Sequence, residues 1–354
     1  MRKYPCIEIY SDKIRHNAMK VVDMCNSKNI TVAGVTKVFC GNPEIASILC
    51  ESGIDLLADS RIENIKKLID IKCEKMLLRI PMLSEVEDVV NYTDISLNSE
   101  VKVVEAISRY CAKIGKKHKI ILMIDMGDLR EGVMESEILT VAEEIHRLEY
   151  IDLVGVGVNL GCFGGVVPDP SVMRLLIEYA ELIETKLKIK LEHISAGSTR
   201  MLHMVWENTM PERVTHLRIG TAIHLGTEGK YRKLIEGFYD DAYILFAEVV
   251  EKKEKPSVPT GQIGEDAFGN IPVFEDRGIL KRLILAIGRQ DVVFENLTPL
   301  DEDVEILGGS SDHMIVNITD SKINYEVGDI LAFKMGYSSL LNVFNSDYVH
   351  KIIV

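Results

Sequence analysis

The sequence predicts an α/β protein: a (β/α)8 TIM barrel over residues 1–230, followed by a C-terminal all-β domain over 231–354. Three observations carry this. Between residues 32 and 219, eight short apolar runs alternate with stretches of helical period. That alternation is how a parallel sheet covered on both faces reads. Eight such strands suit a closed barrel better than an open sheet. Beyond about residue 230, helical period gives way to strands joined by turns.

The elements follow in order. Residues 12–29, DKIRHNAMKVVDMCNSKN, read as a helix preceding the first strand. Strands are expected at 32–37, 54–58, 76–80, 95–97, 119–125, 151–159, 192–196 and 214–219. Between them, segments such as EIASILCESG, RIENIKKLID, EVKVVEAISRYCAKIG and PSVMRLLIEYAELIETKLK space apolar residues three and four apart, as amphipathic helices do. In the second domain, AYILFAEVVEKKEK, RLILAIGRQDV, DVEILGGSSDHMIVNITD and GDILAFKM read as strands. The Pro/Gly-rich stretch KPSVPTGQIGEDAFGNIP reads as a mobile loop.

The bulk numbers exclude several classes. A chain of 354 residues with 47% hydrophobic and 27% charged content has an ordinary soluble, globular composition. Its 41 basic and 54 acidic residues give a charge of -13, which argues against nucleic acid and anionic membrane surfaces as partners. No apolar run reaches the roughly 18 residues of a membrane helix. The N-terminal MRKYPCIEIYSDKI lacks the apolar core of a signal peptide. The seven cysteines, Cys6, Cys25, Cys40, Cys50, Cys73, Cys111 and Cys162, are odd in number and show no CxxC spacing. Free thiols in a cytoplasmic chain are expected, without a zinc site or disulfide framework.

Polar groups gather where the strands end: Lys37, ADSR at 58–61, Arg79, Asn98, DMGDLR at 125–130, Asn159, SAGST at 195–199 and RIGT at 218–221. Barrel active sites lie at the C-terminal ends of the strands. Asp59 and Asn98 are read as ordinary strand-end residues. Lys37 closes an apolar run, VAGVTKV, and either snorkels to solvent or serves chemistry. As an amine nucleophile or base it needs burial or a cationic neighbour, and Arg79 and Arg130 are candidates. Such an amine can form a Schiff base with an aldehyde cofactor such as pyridoxal 5'-phosphate (PLP).

Lys37 does not stand alone. Ser195 stands at the end of the seventh strand, Gly197, Ser198 and Thr199 lie between it and the next helix, and Gly220 and Thr221 follow the eighth. Small residues and backbone N–H groups there suit a phosphate, at the usual phosphate position of this barrel. Arg218 faces the same mouth; its alternative is an ion pair with an acid such as Glu212. A guanidinium only donates, so against a pyridine nitrogen it leaves that nitrogen unprotonated. That weakens the ring as an electron sink and favours racemisation over transamination.

The motifs GVTKVFCG, LADSRIENIKKL, LLRIPML, DMGDLREG, SAGSTRMLHM, MPERVTHLRIG and AIGRQDV together resemble the alanine racemase superfamily, a fold-type III family of PLP enzymes, and within it the alanine/ornithine racemase branch. The resemblance runs from about residue 5 to the C-terminus. It implies a PLP-binding barrel, a β-domain, and a head-to-tail homodimer in which each site is completed by the partner's β-domain. It implies that Lys37 carries the cofactor and serves as one catalytic base, and that Arg218 meets the pyridine nitrogen. Arg130 is expected near the cofactor's phenolic oxygen and the substrate carboxylate. Ser198, Gly220 and Thr221 are expected around the phosphate, with Tyr348 reaching it, and Asn159 stands where the alanine enzymes often place a histidine.

The departures concern the second base and the substrate. Where the alanine enzymes carry a catalytic tyrosine, this chain has Arg289, in GRQDV. A racemase needs acid/base groups on both faces of the planar carbanion. Arg289 suits a carboxylate instead, leaving the second role to Tyr337, His313 or Asp312. Gly41 replaces a phosphate-contacting tyrosine and Met123 a lysine behind Arg130, which implies a wider site and a longer amino-acid substrate. Asp291 or Asp312 could pair with its side-chain ammonium. The reading is an amino-acid racemase acting first on ornithine, with lysine, arginine, serine or alanine behind it and no metal. A PLP carrier protein and a D-threonine aldolase-like lyase are the alternatives.

Overall fold

The computed structural model describes residues 2–229, 233–266, 268–269 and 271–354. The chain divides into two compact units, Ser11–Asp240 and a second made of Met1–Tyr10 with Asp241–Val354. The expected boundary at 230/231 lies outside the described residues, as does part of the loop expected at 255–272. Among the described residues, no helix is long and apolar enough to cross a membrane.

In chain order the strands are β1 (Cys6–Ile9), β2 (Thr31–Val35), β3 (Leu56–Asp59), β4 (Glu74–Leu77), β5 (Ile95–Asn98), β6 (His118–Met123), β7 (Ile151–Gly157), β8 (His193–Ser198), β9 (His216–Ile219), β10 (Tyr243–Pro256), β11 (Ile279–Leu285), β12 (Leu297–Pro299), β13 (Glu305–Gly309), β14 (Met314–Asn317), β15 (Ile330–Met335) and β16 (His350–Ile353). The helices are α1 (Ser11–Asn26), α2 (Pro43–Glu51), α3 (Ile62–Lys66), α4 (Val86–Tyr92), α5 (Val101–Ile114), α6 (Ile138–His146), α7 (Pro170–Leu187), α8 (Leu202–Trp206), α9 (Thr221–Leu225) and α10 (Tyr337–Asn345).

Strands β2 to β9 close into a parallel barrel, so β2 pairs with both β3 and β9. Its apolar filling comes from alternate residues of successive strands: Ala33, Leu56, Ala58, Met76, Ile95, Leu97, Ile121, Met123 and Val154 form one buried cluster. The cluster mixes small Ala33 and Ala58 with larger Leu, Ile and Met side chains. Replacing Leu97 by Ala would open a cavity costing about 2–5 kcal/mol. Strands β8 and β9 break the pattern, contributing buried Ser195, His216 and Arg218.

Helix boundaries follow local chemistry. Asn42 caps α2, accepting from Glu44 N and Ile45 N at 2.9 and 3.2 Å, with Pro43 in the first turn. Asp169 and Pro170 start α7 in the same way. These are the residue types that satisfy orphan N–H groups at a helix start. Buried Asn17 on α1 donates to Ile223 O and Tyr239 O and accepts from Tyr239 N, so the first helix is tied to the last turn of the barrel.

Two of the seven cysteines depart from the expected free thiols. Cys50 and Cys73 are joined by a disulfide. Pairing of β3 with β4 brings the segments that enter these strands together, with the Cα atoms of the two cysteines 6.9 Å apart.

The second unit is a sheet in the order β12-β15-β10-β11-β14-β13, antiparallel along that path. The first strand belongs here: β1 pairs antiparallel with β10 and parallel with β16. Helix α10, which the sequence did not announce, starts at Tyr337 with Gly336 as its cap.

Candidate active site

Lys37 opens a short 3-10 turn, Lys37–Phe39, directly after β2, and is half-buried. Its seat is built by the neighbouring strand. Thr36 N donates to Ala58 O at 2.8 Å, and the Thr36 hydroxyl donates to Asp59 Oδ2 at 2.6 Å. Asp59 Oδ1 also accepts from Arg61 N at 2.9 Å and from Asn64 Nδ2 at 3.1 Å. Burial pushes the Asp59 carboxyl up, and the hydrogen bonds from Thr36, Arg61 and Asn64 oppose it. Lys67 Nζ reaches over to Cys40 O at 2.8 Å. Asp59 is therefore fully buried behind the Lys37 turn, where the sequence suggested only a strand-end acid.

Gly41 is a correction of a different kind. Its φ is +61°, and a Cβ there would stand 2.7 Å from the Asn64 carbonyl oxygen. The glycine serves the turn's own packing against Asn64, so it does not by itself mark a widened site.

Arg218 on β9 is buried, and its partners are neutral oxygens: the Ser195 hydroxyl and, at 2.8 Å, Val158 O. Among the described residues it makes no ion pair, with Glu212 or any other acid. Burial lowers the guanidinium to about 10, and the charge of Glu131 opposes that. The Ser195 hydroxyl is also 2.8 Å from His216 Nδ1. Ser195 thus stands behind Arg218, engaged on both sides, and is not grouped with the phosphate loops as expected.

Those loops come from adjacent strands. Gly197 has φ +112°, a conformation open to glycine, with Met201 Cε 2.8 Å from where a Cβ would sit. Ser198 ends β8, and a 3-10 turn, Thr199–Met201, follows. Thr199 Oγ1 accepts from Ala222 N at 3.4 Å, joining this turn to α9. Gly220 precedes Thr221 at the start of α9, and its missing Cβ would lie 3.2 Å from Val35 Cβ. Because β9 pairs with β2, the Gly220–Thr221 step and Lys37 follow neighbouring strands.

On the other side of the mouth, Arg130 is ion-paired to Glu131, and Asn159 Nδ2 donates to Glu131 Oε1 at 3.2 Å. Asp128 is buried, and its carboxylate accepts from the backbone N–H of Gly161, Cys162, Phe163 and Val166. Burial works against that charge, yet these four bonds hold the carboxyl below its ordinary value. Asp128 and Glu131 were missed in the sequence, although both lie within DMGDLREG. Arg79 pairs with Glu85 through two bonds of 2.6 and 2.8 Å.

The remaining candidates belong to the β unit. Arg289 pairs with Glu295 at 2.9 Å and lies over the Phe294 ring at 4.7 Å. Asp312 accepts from Gln290 Nε2 at 2.9 Å and from the Ser311 hydroxyl at 2.6 Å. Tyr348 is 69% exposed, just before β16, and Tyr337 is half-buried. Asp291 is buried and accepts the Ser346 hydroxyl at 2.6 Å, an arrangement that props the chain and does not present an acid to a substrate.

The barrel residues fit a pyridoxal phosphate group. A buried guanidinium with only neutral acceptors suits a ring nitrogen, and a lysine follows the adjacent strand.

Comparison with known proteins agrees with this architecture. The family model described as alanine racemase, N-terminal domain, matches residues 9–228. The chain is 46% identical over 349 residues to the ornithine racemase of Acetoanaerobium sticklandii, covering 98% of this chain and 99% of that protein. It is 39% identical to the lysine racemase of Thermotoga maritima, covering 99% and 98%. Among solved structures, alanine racemase from Streptomyces lavendulae superposes with TM-score 0.78 at 14% identity, covering 100% of this chain and 98% of that one. The alanine racemase of Bartonella henselae, solved with covalently bound pyridoxal phosphate, gives 0.74 at 15%, covering both chains completely. The likeness to these structures is one of fold, while the family match spans the barrel and the two curated relatives span the chain: it belongs to the alanine racemase family and is a racemase.

Proposed function

We propose that this racemase uses PLP to interconvert the L and D enantiomers of ornithine, as a cytoplasmic head-to-tail homodimer. The observation that carries the cofactor assignment is Arg218, buried against neutral oxygens on the strand beside the one that leads into Lys37. The substrate assignment rests on the relatives named for ornithine and lysine, two amino acids whose side chains end in an ammonium.

Lys37 would hold the aldehyde end of the cofactor, Arg218 its ring nitrogen, and Gly197, Ser198, Gly220 and Thr221 its phosphate, with Asn159 beside the ring and Tyr348 toward the phosphate. When bound, PLP delocalises the negative charge left on Cα as its proton departs. Arg130 would grip the substrate carboxylate and orient Cα toward the bases. Freed when the substrate's amino group takes its place at the aldehyde, the Lys37 amine would take the Cα proton from one face or return it there. A second group must do the same on the other face, and Tyr337 is our candidate, with His313 and Asp312 as alternatives. Arg218 only donates, so it leaves the ring nitrogen unprotonated and favours prompt return of the proton to Cα.

The test is a chiral assay of the purified, PLP-loaded protein against both enantiomers of ornithine, lysine, arginine, serine and alanine. Racemisation in both directions, fastest with ornithine, is expected. Fastest turnover of alanine would overturn the substrate, and cleavage of β-hydroxy amino acids without racemisation would overturn the reaction.

A further inference from the structure

We infer that Glu131 is a positioning residue that holds Arg130 for the substrate carboxylate; this rests on the proposed racemase reading. The geometry begins with the loop between β6 and α6. Asp125 Oδ1 accepts from Gly127 N at 2.8 Å and Leu129 N at 3.1 Å. Asp125 N donates to Val133 O at 3.0 Å, and Val133 N donates to Met123 O at 2.9 Å. Gly132, with φ +133°, passes so close that a Cβ would lie 2.3 Å from Asp125 N. The loop backbone is thus closed on itself, and the freedom left to Arg130 is that of its side chain.

A long guanidinium side chain loses considerable rotamer freedom when it grips a ligand, unless something has already fixed it. Strand β6 ends in Met123, which lies in the apolar barrel cluster, and offers Arg130 no acid. The partner is instead the next residue. Glu131 takes Arg130 through both of its carboxylate oxygens and is steadied by Asn159 Nδ2 at 3.2 Å. Its side chain is 17% exposed, against 42% for that of Arg130. The acid is therefore the more buried member, anchored to the end of β7, and the guanidinium is the end turned toward solvent. The Glu131 charge also acts on Arg218, so one carboxylate serves both arginines of the mouth.

The test compares two probes on the PLP-loaded enzyme by spectral titration: ornithine, and 1,4-diaminobutane, which is ornithine without its carboxylate. In E131Q, affinity for ornithine should fall about tenfold, with a matching rise in KM. Diaminobutane affinity, cofactor content and melting temperature should stay within error of the unaltered enzyme. E131D keeps the charge and should recover part of the loss; it gives the same comparison should E131Q not fold. Unchanged ornithine affinity in the variant, or equal loss for both probes, would overturn the role of Glu131 while leaving the racemase reading standing. Failure of the unaltered protein to bind PLP or racemise any amino acid would overturn that reading itself, and this inference with it.

Discussion

The Nδ1 of His216 lies 2.8 Å from the Ser195 hydroxyl, whose oxygen also accepts from Arg218. A guanidinium has no acceptor, so the Ser195 oxygen accepts from Arg218 while the same hydroxyl meets His216 Nδ1. Burial pulls the His216 imidazole well below its ordinary value and keeps it neutral, and its Nε2 has no hydrogen-bond partner among the described residues. Ser195 thereby links Arg218 to His216.

Ser195→Ala removes the middle of this chain. One buried donor on Arg218 and the Nδ1 of His216 lose their partner, at about 1–3 kcal/mol for each group left unsatisfied. We expect a lower melting temperature and a kcat about tenfold down, with a smaller change in KM, since the altered contact lies behind the cofactor side of the mouth. Thermal denaturation and steady-state kinetics check this.

Three buried barrel histidines predict an acid-sensitive fold. Burial holds His118 and His224 down to about 3, and pulls His216 well below its ordinary value, with the neighbouring His193 and Arg218 adding to the effect. Unfolded, each would titrate near 6.5. Below that pH the unfolded chain binds protons the folded chain refuses, so stability falls as pH falls, by up to about 1.4 kcal/mol per pH unit for each histidine. Denaturant midpoints at pH 7.5, 6.5 and 5.5 should decline, most steeply in the last step. A flat profile would contradict neutral, buried histidines.

Gly41→Ala separates backbone need from substrate room. The left-handed conformation costs a side-chain-bearing residue about 1–2 kcal/mol, and the new methyl meets the Asn64 carbonyl. A drop in melting temperature is expected, with the ratio of kcat/KM for ornithine over alanine little changed. A large swing in that ratio at unchanged stability would show that position 41 shapes the substrate pocket after all.

The barrel was legible because a strand covered on both faces must be an unbroken apolar run, as ILM in β6 and LVGVG in β7 are. Strand β1 was not: four residues, CIEI, carry too short a pattern, and their partner on β10 lies more than two hundred positions away. Lys37, Arg218 and the glycine loops stood out because a lysine after an apolar strand and paired small residues are uncommon in combination. Asp59 did not, since a strand-end acid reads the same whether it faces water or is buried under Thr36 and Asn64. Glu131 was hidden by being adjacent to Arg130, because side chains one apart in sequence usually point apart. The link between Cys50 and Cys73 carried no spacing signal; strand pairing alone brings them together.

The proposed reaction depends on Lys37 carrying the cofactor. Borohydride reduction of the PLP-loaded enzyme, followed by proteolysis and mass spectrometry, reads it directly. A reduced pyridoxal phosphate adduct on the peptide containing Lys37 is expected, and no racemisation by Lys37→Ala. An adduct on a different lysine, or a Lys37→Ala enzyme that still racemises, would contradict it.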